Sequence, residues 1–540
     1  MPGETMYELH FHVHLTENVA DTVDKITANG YKKAMKNLSL IISYIVLFVC
    51  GCSLQLPKTF ESTESVPHIE PDYAPLEIPP NIAPLNFTIK EPGSIFYTEI
   101  TGKGGEPLLV SGKTIDIPVK RWKTLLTQNK GGEIRFTVFV QQEGKWKKYA
   151  PLVNKVSDDP IAPYLTYRLI EPGYEGFYRM TLEERCMENF EQKTFFDNGK
   201  NVQSAGLCVN CHCSQNGKAE QTMFHIRATN KEFISLSGTV FFQNNKYSKV
   251  NLKPVKHRLP CVYPSWHPNQ PLLAFTTSDI LQFFHTRNLD KIVVAEEAAD
   301  LALYDTEKKT LVPILETENE IESFPNWSHD GKYLYYVSSP SPLLLPKNKD
   351  LKQIGRSWSK QCYEDFHYNL MRIPFDETSR RFGKPELLVD AVKENKSVTF
   401  PRIAPDGRYM LYSLCNYGCF SIWHRESDLY LLDLQTGKSR AVTELNSGAS
   451  ESFHNWTADG KWVVFTSRRD DGSYTRLYFA HFQDGVFSKP FLLPQREPAQ
   501  NQRLFKSYNT PELIAEPVRY QFRDIVRIVD TDSIPAKYEY

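Results

Sequence analysis

Four stretches in the second half of the chain repeat one pattern of apolar and polar positions: "YPSWHPNQPLLAFTTSD" from Tyr263, "FPNWSHDGKYLYYVSSP" from Phe324, "FPRIAPDGRYMLYSLCN" from Phe400 and "FHNWTADGKWVVFTSRR" from Phe453. Each opens on an aromatic residue and reaches Trp266, Trp327, Ile403 or Trp456 three positions later. A polar turn follows, ending in Asp-Gly or, in the first stretch, Asn269-Gln270, and then an apolar run alternates with period two. Asp and Gly accept the tight and left-handed backbone that joins antiparallel strands. Second hairpins such as "DLALYDTEKKTLVPIL" and "DLYLLDLQTGKSRAVTEL" lie between the stretches. Two hairpins per repeat predict a four-stranded sheet, the blade of a β-propeller. With the flanking runs "EFISLSGTVFFQ" and "RLFKSYNTPELIAE" the count is five or six blades, six being favoured, over residues 235–540.

Upstream, "NFTIKE", "SIFYTEIT", "TIDIPV", "EIRFTVFVQ" and "KWKKYAPLV" are short alternating runs broken by Gly and Pro, which predict a β-sandwich-like domain over 82–170. The pattern changes in "MTLEERCMENFEQKTFFDNGK". Leu182, Cys186 and Phe190 recur with helical spacing, Thr181 and Glu184 make a capping box, and Asn198-Gly199 supplies a stop. Residues 171–234 therefore read as a helix leading into a cysteine-rich segment, with Cys186 a core residue. The fold predicted is mainly β: a sandwich-like domain, a short helical segment, then the propeller.

The N-terminal region adds an address. Lys32, Lys33 and Lys36 precede an apolar run from Leu38 to Val49, the layout of a secretory signal and too short for a comfortable membrane span. Its end, "VCGCS", resembles a bacterial lipobox, which implies a lipid on Cys52. Residues 1–51 are then an upstream extension and signal peptide, with Met35 an alternative start. Residues 52–81, rich in Pro, read as a linker beyond the lipid anchor. No acidic run follows Cys52, so the expected location is the bacterial cell envelope, membrane-anchored and facing the periplasm.

Composition narrows the partners. Lys plus Arg number 63 against 64 Asp plus Glu, which gives no electrostatic case for nucleic acid. No GxSxG elbow, P-loop or dinucleotide fingerprint is present; Gly448-Ala449-Ser450-Glu451-Ser452 lacks the closing Gly. No catalytic residue of a classical enzyme is identified, which leaves the question of an enzyme open.

The sharpest chemical signal is Cys208-Val209-Asn210-Cys211-His212, a CxxCH string. Two thiols at this spacing can form thioethers with the two haem vinyl groups, and the adjacent imidazole can then ligate the iron. With 10 Cys and 14 His in the chain, chance supplies only about 0.005 such matches. Cys208 and Cys211 are thus candidate thioether donors to one covalent haem c, and His212 its axial ligand. If "TMFHIR" is a strand, Met223, His225 and Arg227 share a face, and Met223 or His225 is a candidate sixth ligand. Zinc held by Cys208, Cys211, Cys213 and either His212 or His225 is the alternative, as is a disulfide among the three thiols. Cys213 has no assigned role.

The propeller repeat resembles the TolB-like family, related to WD40 propellers, over about 235–515. The likeness widens with "PPNIAPLNFTI", "YLTYRLIEPGYEGFYRM", "CVNCH" and "MFHIR" to a group of bacterial exported TolB-like or cytochrome-like lipoproteins. In that group Ser commonly follows CxxCH, where this chain has Cys213. The resemblance implies a propeller carrying haem c, used in electron transfer or redox sensing and docking a redox or envelope protein partner. A non-catalytic envelope scaffold with a structural zinc or disulfide is the alternative, and a peroxidase-like haem enzyme the third reading.

Overall fold

The structure, a computed structural model, describes residues 54–171, 179–200, 205–229, 235–253, 259–285, 291–355 and 357–539, with backbone alone at 205–208, 210 and 211. The expected signal peptide and Cys52 lie outside these residues. No helix among the described residues is long and apolar enough to cross a membrane. Thr59–Tyr540 form one compact unit.

Six sheets of four or five strands stand in a ring. Their inner strands are Ser507–Ile514 in blade I, Ala205–Gln215 in II, Cys261–Trp266 in III, Glu320–Trp327 in IV, Ser397–Ile403 in V and Glu451–Trp456 in VI. Each touches the next, and VI and II both touch I, so the ring is closed. The chain is a six-bladed β-propeller. Blade I joins the two ends of the sequence: the C-terminal strand Ser507–Ile514 pairs with Tyr164–Ile170, followed outward by Thr181–Cys186 and Gln192–Asp197. The propeller therefore starts at Tyr164, well before the expected boundary at 235.

Two expectations are corrected here. Thr181–Cys186 and Gln192–Asp197 are strands, and the CxxCH string lies in the inner strand Ala205–Gln215, so there is no helical segment at either place. The cause lies in a strand buried on both faces. Leu182, Glu183, Glu184 and Arg185 are all buried, so the two-residue alternation that marks a half-exposed strand is absent. Each polar member has its own partner: Thr194 donates to Glu183, Val518 N to Glu184, and Arg185 donates to the carbonyls of Phe190 and Pro494.

The N-terminal domain is one seven-stranded sheet with a two-stranded ribbon, Ile69–Glu70 with Thr88–Ile89. Where a sandwich has a second sheet, the helix Val119–Gln128 buries Trp122, Leu125 and Leu126, spaced i, i+3, i+4. The Pro-rich stretch is no linker from Thr59 onward. Ile69, Tyr73, Leu76 and Ile78 enter a core that also takes Trp122 and, from blade VI, Trp462 and Phe479. Apolar residues set between the prolines are buried against the propeller, which a free stalk would not need.

The repeat motif has a structural reason. Tyr263, Phe324, Phe400, Phe453 and Thr510 have φ of 50°, 52°, 51°, 41° and 43°, and at each the inner strand slips register by one residue. This is a β-bulge repeated around the ring, and for aromatic residues a positive φ is unusual. Three positions after the bulge, Trp266 and Trp456 reach back to the preceding blade, each indole N–H donating over 3.0 Å to the carbonyls of Cys213 and Arg402.

After blade I the tail crosses outward. The helix Phe522–Val529 buries Ile525 and Val529, and Ile534–Pro535 and Lys537–Tyr538 add parallel strands to blades II and III. The buried Lys249 holds this tail, donating to the carbonyls of Val529 and Thr531 over 2.6 and 2.8 Å.

Candidate functional site: the axial cavity

The six inner strands enclose a cavity of about 390 Å³ on the propeller axis, within the usual size of ligand pockets. One side is aromatic. The bulged residues of blades III to VI form a continuous arc, with ring centroids 4.2 Å apart for Tyr263 and Phe324, 4.7 Å for Phe324 and Phe400, and 4.7 Å for Phe400 and Phe453. The bulge that offsets the strand register is what places these rings at the axis.

The rest of the lining is polar and basic. Arg168 and Glu512 come from blade I, His212 and Arg227 from blade II, Arg402 from blade V and His454 from blade VI. His212 Nε2 shares a 3.1 Å hydrogen bond with Thr166 Oγ1 of blade I, and the ring lies edge-on to Phe195. Burial, with the nearby Arg168 guanidinium, pulls its pKa down to about 3. His454 Nε2 donates over 2.9 Å to Leu411 O, and burial beside Arg402 brings it to about 3 as well. Both imidazoles are therefore neutral at ordinary pH. Glu512 accepts from Ser214 N at 2.9 Å, and burial raises its pKa to about 7.

The CxxCH string is part of this wall. Cys211 is the extra residue where the inner strand of blade II slips between Asn210 and His212. Since Trp266 reaches Cys213 O as Trp456 reaches Arg402 O, Cys211-His212-Cys213 stands where Phe400-Pro401-Arg402 stands in blade V. Blade II is thus a further repeat, and Cys211 occupies its bulge position. The missed signal was Asn216-Gly217, at φ of 50° and 67°, a hairpin turn in the place of Asp-Gly.

"TMFHIR" is indeed strand, within Lys218–Thr229, but it does not bring the candidate iron ligands together. His212 is paired with Phe224, whose ring belongs to the core between blades I and II. Met223 is fully buried on the opposite face with Phe241 and Trp266 of the next interface. His225 alternates onto that same face, where its Nδ1 lies 3.4 Å from Thr239 Oγ1. The sheet itself separates Met223 and His225 from His212, so neither can close the far side of an iron held by His212. As a proximal group His212 is placed at the cavity wall, and its Nδ1 is buried with no partner among the described residues. Ligation through Nε2 requires that nitrogen to release Thr166. The zinc alternative calls on His212 or His225 as its fourth ligand, and these two lie on opposite faces of the sheet. No group of three His, Cys, Asp or Glu fit to hold a metal occurs among the described residues.

No family model matches the chain, and no curated protein is similar to it. Several solved structures match the chain at low similarity. A TolB protein from Agrobacterium tumefaciens is 11% identical with a TM-score of 0.32, covering 60% of this chain and all of that one. Hydrazine synthase of Kuenenia stuttgartiensis is 12% identical with a TM-score of 0.29, covering 52% and 64%. A chain of the nidogen/laminin complex is 8% identical with a TM-score of 0.34, covering 65% and 100%. At TM-scores this low neither fold nor activity carries over from them.

Proposed function

We propose that the protein is an exported, envelope-tethered binding propeller whose axial cavity receives a ligand and holds it without transforming it. The observation that carries this reading is a set of buried polar atoms left without partners among the described residues around one cavity: Arg168 Nε, His212 Nδ1, His454 Nδ1 and Glu512 Oε2. Buried donors and acceptors are ordinarily paired, and an incoming polar ligand would complete these. The Lys-rich signal and the lipobox at Cys52 support the tether and a periplasmic location.

The neutral dye N-phenyl-1-naphthylamine tests the cavity as the site. Trp266, Trp327 and Trp456 line it, so dye bound there is excited by energy transfer from tryptophan. Saturable binding is expected, weakened about thirtyfold when Tyr263→Ala and Phe453→Ala are combined, because each ring contributes on the order of 1 kcal/mol of contact. No binding, or binding unchanged by that pair, would refute the cavity as the site.

A second reading is a covalent haem on Cys208 and Cys211 with His212 as proximal ligand. It is favoured by the position of His212 on the cavity wall beside Arg168, a partner for a haem carboxylate. Bound haem would supply redox chemistry; the chain would supply its attachment, a buried imidazole and an aromatic wall. A pyridine haemochrome assay on protein matured with haem-attachment machinery is expected to report about one haem per chain, lost in Cys208→Ser/Cys211→Ser. A colourless product sinks this second reading and leaves the first.

A further inference from the structure

The charges around the axial cavity do not cancel. Arg168 is 5% exposed, yet neither it nor Arg227 nor Arg402 makes an ion pair among the described residues. Glu512 is the one carboxylate among the described lining residues, and His212, His329 and His454 are all shifted toward the neutral form by burial. A guanidinium stays protonated in any protein environment, so the three that line the cavity, from blades I, II and V, leave a positive excess facing it. Burying the Arg168 charge without an ion pair is costly, and the cost is recovered when an anion arrives. The same cavity carries the aromatic arc from Tyr263 to Phe453, which offers ring faces and edges but no hydrogen bond at Phe324, Phe400 or Phe453.

We infer that the cavity selects a small anionic ligand with a flat apolar body, an aromatic carboxylate or sulfonate in class, its anion held by Arg168, Arg227 and Arg402 and its body packed on the arc. This rests on the cavity being the binding site, and it adds the chemistry of the occupant. Arg supplies paired N–H donors matched to a carboxylate or sulfonate, and the low polarity of the arc excludes the water that would screen them.

Two dyes that differ only in the anion decide it. 1-Anilinonaphthalene-8-sulfonate carries the sulfonate that N-phenyl-1-naphthylamine lacks. A charge-assisted hydrogen bond contributes on the order of 1.5–3 kcal/mol, so the sulfonate is expected to bind about tenfold to a hundredfold more tightly. Arg168→Met and, separately, Arg227→Gln are expected to shrink that ratio about tenfold, and salt is expected to shrink it further. Arg227 is exposed, so its substitution does not threaten folding. Equal affinity for the two dyes in the unmodified protein, or a ratio untouched by both substitutions, would overturn the inference while leaving the cavity as a binding site. Binding of neither dye would remove the cavity reading and the inference together.

Discussion

A chain ending at Lys506 is expected to show no cooperative unfolding transition, although it lacks only the last part of the sequence. The strand it loses, Ser507–Ile514, is the inner strand of blade I and pairs along the length of Tyr164–Ile170. It buries Tyr508, Leu513 and Ile514 to 3%, 5% and 1% exposure. At about 1.5–3 kcal/mol each, these three side chains are comparable to the whole stability of a typical domain, about 5–15 kcal/mol. The deletion also opens the ring between blades VI and I and bares an inner edge, an aggregation hazard. Urea unfolding followed by circular dichroism checks this. The finer variant Leu513→Ala is expected to keep the transition and lose about 2–5 kcal/mol. A sharp, native-like transition in the chain ending at Lys506 would mean that blade I is not closed by the C-terminal strand.

Stability is expected to stay nearly level from about pH 6.5 to 5 and to fall steeply below about pH 4.5, because two groups of buried residues titrate in opposite senses. Burial brings His212 and His454 from 6.5 down to about 3, and His225 to about 4. The unfolded chain therefore takes up protons below 6.5 that the folded chain refuses, and stability drops as pH falls through that window. Glu296, Glu322 and Glu512 work the other way. Burial raises each from 4.5 to about 7, so the folded chain holds protons that the unfolded chain releases, and stability drops as pH rises from 4.5 to 7. The two trends oppose each other between 4.5 and 6.5; below 4.5 the imidazoles continue the fall, joined by Glu426, whose carboxyl is held at about 2, despite its burial, by the hydrogen bond from His424. Each is worth at most roughly 3–5 kcal/mol. Urea midpoints measured across pH check this, and His454→Gln is expected to make the acid limb shallower. A midpoint that held steady down to pH 3.5 would show that these imidazoles are not buried in the native state.

The propeller was legible because its signals are local. Asp-Gly turns at Gly331, Gly407 and Gly460, with alternating apolar runs after them, state each hairpin within about twenty residues. Blade I was not legible, since its inner strand and its next strand, Tyr164–Ile170, are separated by most of the chain and no local pattern records their pairing. The false helix at Thr181–Cys186 arose where burial on both faces erased alternation and hydrogen bonds absorbed Glu183, Glu184 and Arg185. The cavity has no sequence signature for a related reason: Arg168, Arg402 and His454 come from three blades and look like ordinary strand residues in sequence. The CxxCH string was legible as chemistry but not as architecture. Its Asn216-Gly217 turn hid that Cys211 stands at a blade's bulge.

The axial cavity as the ligand site is tested most directly by alkylation of Cys213 with iodoacetamide, read residue by residue by mass spectrometry. Cys213 lines the cavity and is half-buried, whereas Cys261 and Cys419 are buried at 2% and 1% exposure. Native protein is expected to be modified at Cys213 well before Cys261 or Cys419, and saturating 1-anilinonaphthalene-8-sulfonate is expected to slow Cys213 alone about tenfold. Modification of Cys213 at the same rate with and without bound dye would contradict the account.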